Sequence, residues 1–149
     1  MKRYSIVFAL LASVGLAVSA VGVGSALAGK SAVKTQHVTI VIKSDTEHGK
    51  KGPDGKWHDA FLPASFSVQR GAKVTVTVLN YDDSMHTFDV PGMHVNQMIM
   101  GGNEKTPHKT TFTFTAGKDG KFLWHCDPKC DPWAMHHVGF MRGYVTVTG

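Results

Sequence analysis

The feature that most constrains the fold is alternation. Over Lys73-Val-Thr-Val-Thr-Val-Leu79, the valines at 74, 76 and 78 alternate with lysine and threonine. That two-residue period is the signature of a strand with one face buried. Thr110-Thr-Phe-Thr-Phe-Thr115 repeats it with phenylalanine, and His37-Val-Thr-Ile-Val-Ile-Lys43 is β-branched almost throughout. Met85–Val90, Val95–Met100, Lys121–His125 and Gly143–Thr148 read as further short strands. Phe61 to Gln69 is a less regular segment that leads into the Arg70-Gly71 turn. Asn80-Tyr-Asp-Asp-Ser84, Pro91-Gly92, Gly101-Gly102 and Gly117-Lys-Asp-Gly120 supply the other turns. No segment beyond the N-terminal apolar run sustains a 3.6-residue period. The expected fold is therefore all-β, an antiparallel sandwich of about eight strands. No internal repeat, low-complexity stretch or second domain interrupts it.

The N-terminus follows different chemistry. Lys2 and Arg3 precede an uncharged run of small and apolar residues from Ile6 to Val23, and Ala26-Leu27-Ala28 has the small-x-small pattern of a cleavage site. Residues 1–28 are read as a signal peptide, which makes the protein exported, to a periplasmic or other extracytoplasmic space. The alternative is an uncleaved anchor that holds the protein at a membrane surface, since the run is just long enough to span a bilayer. The single domain expected is 29–149. Within it, 29–60 comprises a leader, a first strand and an exposed loop, and 61–149 forms the main core. Ser44 to Asp59 is that loop, rich in charge and carrying the Gly52-Pro-Asp-Gly55 turn, which leaves room for a small hairpin. His48 and His58 fall in it and read as surface histidines.

Charge excludes one class of partner. The formal net charge is +5, and two of those charges leave with Lys2 and Arg3. The remaining lysines are scattered among acids, so no dense basic stripe exists to grip nucleic acid. Nor does any Ser-His-Asp arrangement, phosphate-cradling glycine loop or metalloprotease helix motif appear.

The chemistry concentrates near the C-terminus. Trp124-His-Cys126-Asp-Pro-Lys-Cys130-Asp-Pro-Trp-Ala-Met-His136-His137-Val-Gly-Phe-Met141 holds both cysteines, with His125, His136 and His137 around them. Sulfur and imidazole donors packed this closely suit copper. Strand parity directs Cys126 and Trp124 inward and His125 outward, which sets His125 aside as a ligand. A further imidazole is expected from upstream, and His86 is the candidate, at the start of its strand after the Asn80–Ser84 turn. In an exported chain the cysteines have a second reading, a Cys126–Cys130 disulfide.

In this order, the residues resemble the cupredoxin family, and within it most of all the copper domain of cytochrome c oxidase subunit II. Met85-His86-Thr-Phe-Asp-Val-Pro91-Gly, the Cys126-x-x-x-Cys130 pair and Met141-Arg-Gly-Tyr-Val-Thr-Val carry the resemblance, which covers roughly Phe61 to Thr148. It implies a cupredoxin-like Greek-key β-sandwich with a copper site. The implied ligands are His86, Cys126, His137 (with His136 as the alternative) and Met141 as axial thioether. In a binuclear version Cys130 is a second bridging thiolate and the Pro128 carbonyl a backbone ligand. Asn80 would stand behind them, tying the His86 segment to the ligand loop. The loop departs from the binuclear motif, because six residues separate Cys130 from His137 instead of three. One copper and a two-copper centre therefore both stay open.

Such a site suits a non-enzymatic electron carrier serving a redox partner protein, for example a cytochrome or terminal oxidase. A single domain of this length is too small for the several copper centres of a multicopper oxidase. Two alternatives belong to other classes. Met85, Met93, Met98, Met100, Met135 and Met141 all fall on segments assigned to the ligand end, which would suit Cu(I) trafficking or tolerance. A disulfide-stapled, metal-free binding module is the other.

Overall fold

A computed structural model describes residues 34–45, 49–127 and 129–149. The signal peptide or anchor, His48 and the Pro128 carbonyl lie outside them. Within the compact unit Ala32–Gly149, the regular elements of the described residues are nearly all strands. These are β1 (Thr35–Lys43), β2 (Lys50–Lys51), β3 (Trp57–His58), β4 (Ala60–Leu62), β5 (Phe66–Gln69) and β6 (Lys73–Asn80), followed by β7 (His86–Val90), β8 (Val95–Ile99), β9 (His108–Thr115), β10 (Gly120–His125) and β11 (Arg142–Thr148). Two short 3₁₀ turns, Pro91–Met93 and Ala134–His136, complete the elements.

One sheet has the order β4-β1-β6-β9 and the other β5-β11-β10-β7-β8. The expected alternation is visible in β6, where Val74, Val76 and Val78 are fully buried. They meet Ile40 and Ile42 of β1, Phe88 and Val90 of β7, Trp124 of β10 and Val145 and Val147 of β11 in one core. Aromatic packing ties that core together, with Phe61 4.6 Å and Phe88 5.0 Å from Trp124, ring centre to ring centre. Gly71 turns the chain at a φ of 77°, a conformation that glycine adopts at no steric cost.

Two expectations need correction. The sheets are mixed and not purely antiparallel, because β1 pairs with β6 and β5 with β11 in parallel. Alternation reports which face a residue takes and says nothing of strand direction, which the long connections decide. The Ser44–Asp59 segment does contain a small hairpin, β2 with β3, closed by Gly52 and Lys56. It is not simply exposed, however. His58 and Asp59 are buried at 6% and 7% exposure, so His58 is not a surface histidine.

The topology also sets the position of the chemistry. β7 and β10 are antiparallel neighbours, so the start of β7 lies at the same end as the finish of β10. His86 opens β7 and Cys126 follows β10 directly. Asn80 at the end of β6 and the start of β11 reach that end too.

Candidate metal centre

Three of the candidate ligands come together. The Cys126 Sγ is 3.7 Å from the His86 Nδ1, the Cys130 Sγ is 3.2 Å from the same nitrogen, and the two sulfurs are 3.7 Å apart. His86 and Cys126 are buried, and Cys130 is half-buried. A disulfide needs about 2.05 Å between sulfurs, so no bond joins the cysteines. Strand parity places Cys126: it and Trp124 point inward from β10 and its extension, while His125 turns out to Asp127 at 2.9 Å. The Thr87 backbone N–H donates to the Cys126 sulfur at 3.4 Å, and the Cys126 N–H donates to the Met141 carbonyl at 3.1 Å.

A residue not singled out in the sequence orients this cluster. Asp82, four residues before His86, accepts a hydrogen bond from His86 Nε2 at 2.7 Å. That commitment leaves Nδ1 as the nitrogen facing both sulfurs, the arrangement that a metal-binding imidazole needs. Phe61 packs edge-on against the His86 ring at 5.9 Å and keeps it dry. The sequence signal for Asp82 was its place in the Asn-Tyr-Asp-Asp-Ser turn, one helical turn's spacing from His86. The same turn chemistry explains any such cluster, so it did not stand out.

The electrostatics follow from this packing. Burial disfavours a charged His86, but the Asp82 hydrogen bond and the Cys126 sulfur outweigh it and raise its pKa to about 9. At Cys126 the Cys130 thiol is the largest influence. Its hydrogen bond, opposed by burial and helped by His86 and the Thr87 N–H, pushes the Cys126 pKa down to about 5. Cys130 moves upward, because its proton is held by the neighbouring thiolate. The metal-free site is thus poised with one thiolate, the form of sulfur that binds metal. The donor set fits a soft transition metal such as copper.

The remaining candidates are placed differently. Met141 is fully buried. His137 is exposed, stacked on Trp133 at 3.6 Å, with Nδ1 donating to the Trp133 carbonyl at 2.6 Å. His136 is exposed as well, but it lines a cavity of about 250 Å³ together with Cys126, His125 and Met135. Neither loop histidine belongs to the His86–Cys126–Cys130 cluster. Asn80 is fully buried, but its amide donates to Ser84 O at 2.9 Å and Met100 O at 3.0 Å. It ties the His86 segment to the end of β8, and the expected tie to the ligand loop is not what these bonds make. Phe122 packs toward Gly92 and Gly120.

The ligand loop is held by a group that sequence reading assigned to the surface. His58 Nδ1 donates to Asp131 Oδ2 at 2.7 Å, and Nε2 lies 3.1 Å from Asp54. Burial opposes charge on His58, but these two carboxylates prevail and raise its pKa. Asp131 in turn accepts the Trp133 and Ala134 N–H groups at 2.9 Å each, shaping the loop just after Cys130. His58 stacks on Trp133 at 4.0 Å. On the Cys130 side an open cleft of about 640 Å³ is lined by Asp45, Asp59, Asp82, Glu104 and Lys129 among others. Burial raises the Asp59 pKa to about 6, offset in part by the Asp45 N–H.

A β-sandwich whose one end carries a buried imidazole facing two thiols defines a class of small metal-site domain. The family model of the cupredoxin-like domain matches residues 8–147, and the chain belongs to that family. No curated protein matches the chain significantly. Among solved structures, one described as the multicopper oxidase mgLAC is similar at 21% identity and a TM-score of 0.53 over 76% of this chain. The chain spans 39% of that protein's length, and the likeness is one of fold.

If the carboxylate behind His86 matters to the site, removing it weakens metal binding. Asp82→Ala is expected to lower copper affinity by about 10–100-fold. Competition against a chelator of known affinity checks this, with Asp82→Asn falling between the variant and the native protein.

Proposed function

We propose that this chain is an exported copper protein that carries electrons, with a centre built on His86, Cys126 and Cys130. The observation that carries the reading is the single nitrogen, His86 Nδ1, facing both sulfurs while Asp82 holds the other ring nitrogen. Met141, fully buried and accepting the Cys126 N–H at its carbonyl, is assigned as the weak thioether donor. Of the two loop histidines His136 is assigned as the additional imidazole, because it shares a cavity with Cys126 whereas His137 is engaged by Trp133.

Copper, when bound, supplies a one-electron couple. The residues of the chain keep the donors from rearranging when the charge changes. Asp82 orients His86, the Thr87 N–H restrains the Cys126 sulfur, and Phe61 and Trp124 exclude water. A rigid, dry donor set of this kind suits electron transfer better than turnover of a substrate. The donor or acceptor is expected to be a protein, and an exported copper domain fits a cytochrome or terminal oxidase.

The test is the spectrum of the copper-loaded protein. Intense visible absorption that bleaches with a mild reductant and returns on oxidation is expected. A protein that stays colourless under every loading condition sinks the reading. The EPR hyperfine pattern, with metal analysis, separates one copper from an electron shared between two. His136→Ala changes that spectrum, and His137→Ala leaves it as in the native protein.

A further inference from the structure

The methionines divide sharply by position. Met141 is fully buried, whereas Met85, Met98 and Met100 are 40%, 54% and 50% exposed. Those three sit together on one face. In the β7–β8 ladder His86 is opposite Ile99 and Thr87 opposite Met98. His86 and Ile99 both point into the core with no exposure. Alternation therefore turns their sequence neighbours Met85, Met98 and Met100 outward on the same side. Directly opposed residues on such a face have Cβ atoms about 5 Å apart and diagonal ones about 7–8 Å, within reach of a long side chain.

The backbone under these side chains is fixed. Asn80 donates from one amide nitrogen to Ser84 O and to Met100 O, which pins the chain entering β7 to the chain leaving β8. β8 is the edge strand of its sheet, and the outward face it shares with β7 is left exposed at Met98 and Met100. The Met85 carbonyl lies 3.7 Å from the Cys130 sulfur, which places the patch directly behind the His86–Cys126–Cys130 cluster.

Leaving three methionines in water forgoes their burial, and leucine or valine would serve a merely apolar face equally well. What methionine adds is a soft, polarisable, uncharged sulfur on a flexible stem. Thioethers select soft Cu(I) over harder cations. We propose that Met85, Met98 and Met100 form a surface capture site for Cu(I), from which the ion passes to the buried cluster. The capture stands on the exposed thioethers alone, while the passage rests on the copper reading given above. The passage is ligand exchange with no change of oxidation state. Bonds from the ion to the thioethers break, bonds to His86 Nδ1 and the cysteine sulfurs form, and any proton still on a thiol leaves to water.

The experiment uses the full chain with methyl-labelled methionine, titrated with Ag(I) as the redox-inert stand-in for Cu(I). The expected result is that the Met85, Met98 and Met100 methyl resonances shift together and saturate with one ion beyond those the thiolate cluster takes up, while Met93 stays in place and Zn(II) moves none of the three. Resonances of the three that do not move, or that move independently, overturn the capture site. A Met85→Leu, Met98→Leu, Met100→Leu variant keeps the apolar area and should melt as the native protein does. It is expected to bind one Ag(I) fewer and to acquire cluster copper from a Cu(I) donor at least about tenfold more slowly, with the same final copper content. Loading at the native rate overturns the passage even where the methyls respond. If the methyls respond but neither protein ever holds copper at the cluster, the copper reading fails and the capture site stands.

Discussion

Cys126→Ser is expected to abolish the visible absorption of the copper-loaded protein and to weaken copper binding by more than the 10–100-fold that changes behind a ligand cause. The cysteine is 1% exposed, its sulfur lies 3.7 Å from His86 Nδ1, and the Thr87 N–H points at it. Its pKa of about 5 means that thiolate is present at neutral pH before any metal arrives. Metal binding then need not remove that proton, which favours affinity at low pH. A serine hydroxyl keeps its proton at every accessible pH and is a hard donor. In the metal-free native protein, ultraviolet thiolate absorbance is expected to appear with a midpoint near pH 5, far below the ordinary thiol value of 9.0, and the serine variant lacks it. Serine removes the thiolate that the fold stabilises at neutral pH and buries a hydroxyl in its place, so the melting temperature of the metal-free protein is expected to fall at pH 7 and to fall less below pH 5. Native-like visible absorption in the variant would remove Cys126 from the centre. Cys130→Ser, measured beside it, shows whether the second sulfur is needed for the same spectrum.

The largest stability effect is expected one strand away. Gly143 of β11 is opposite Trp124 in the ladder. A methyl group on Gly143 would overlap the Ala64 carbonyl oxygen and come 2.7 Å from the Trp124 indole nitrogen. That nitrogen donates to the same Ala64 oxygen at 2.6 Å, deep in the core. Gly143→Ala must therefore push β11 from the Ala64 backbone or break a buried hydrogen bond, and neither neighbour is a flexible side chain. Overpacking of this kind costs about 3 kcal/mol or more, which lowers Tm by roughly 10 °C in a domain of this size. Gly117→Ala is the control, since an added methyl there meets nothing within 4 Å. It should leave stability within about 0.5 kcal/mol of the native value. Equal melting temperatures for the two variants would show that β11 has room that this packing denies it.

The effect links sequence to site through Trp124. Its indole is anchored by Ala64, its ring packs on Phe61 and Phe88, and Cys126 follows two residues later on the same face. Loosening the strand that covers Trp124 loosens the base on which the cysteine stands. Gly143→Ala is thus expected to perturb the copper spectrum as well as the fold.

Much of this was legible in the residues. The alternation of β6 and β9, the turns between strands and the inward parity of Trp124 and Cys126 depend only on local geometry, and local sequence carries them. That His86 faces Cys126 and Cys130 was suggested by family order. The distances depend on β7 and β10 being antiparallel neighbours, which no single strand encodes. Tertiary structure alone decided the direction of β1 against β6 and of β5 against β11. It alone moved Asn80 from the ligand loop to Met100, and it alone turned His58 from a surface residue into the buried partner of Asp131. Asp82 behind His86 and Phe61 against its ring belong with these. Periodicity determines which way a side chain faces, because that is a property of the strand. Which partner it meets there is a property of the packing, where segments distant in sequence compete for the same space.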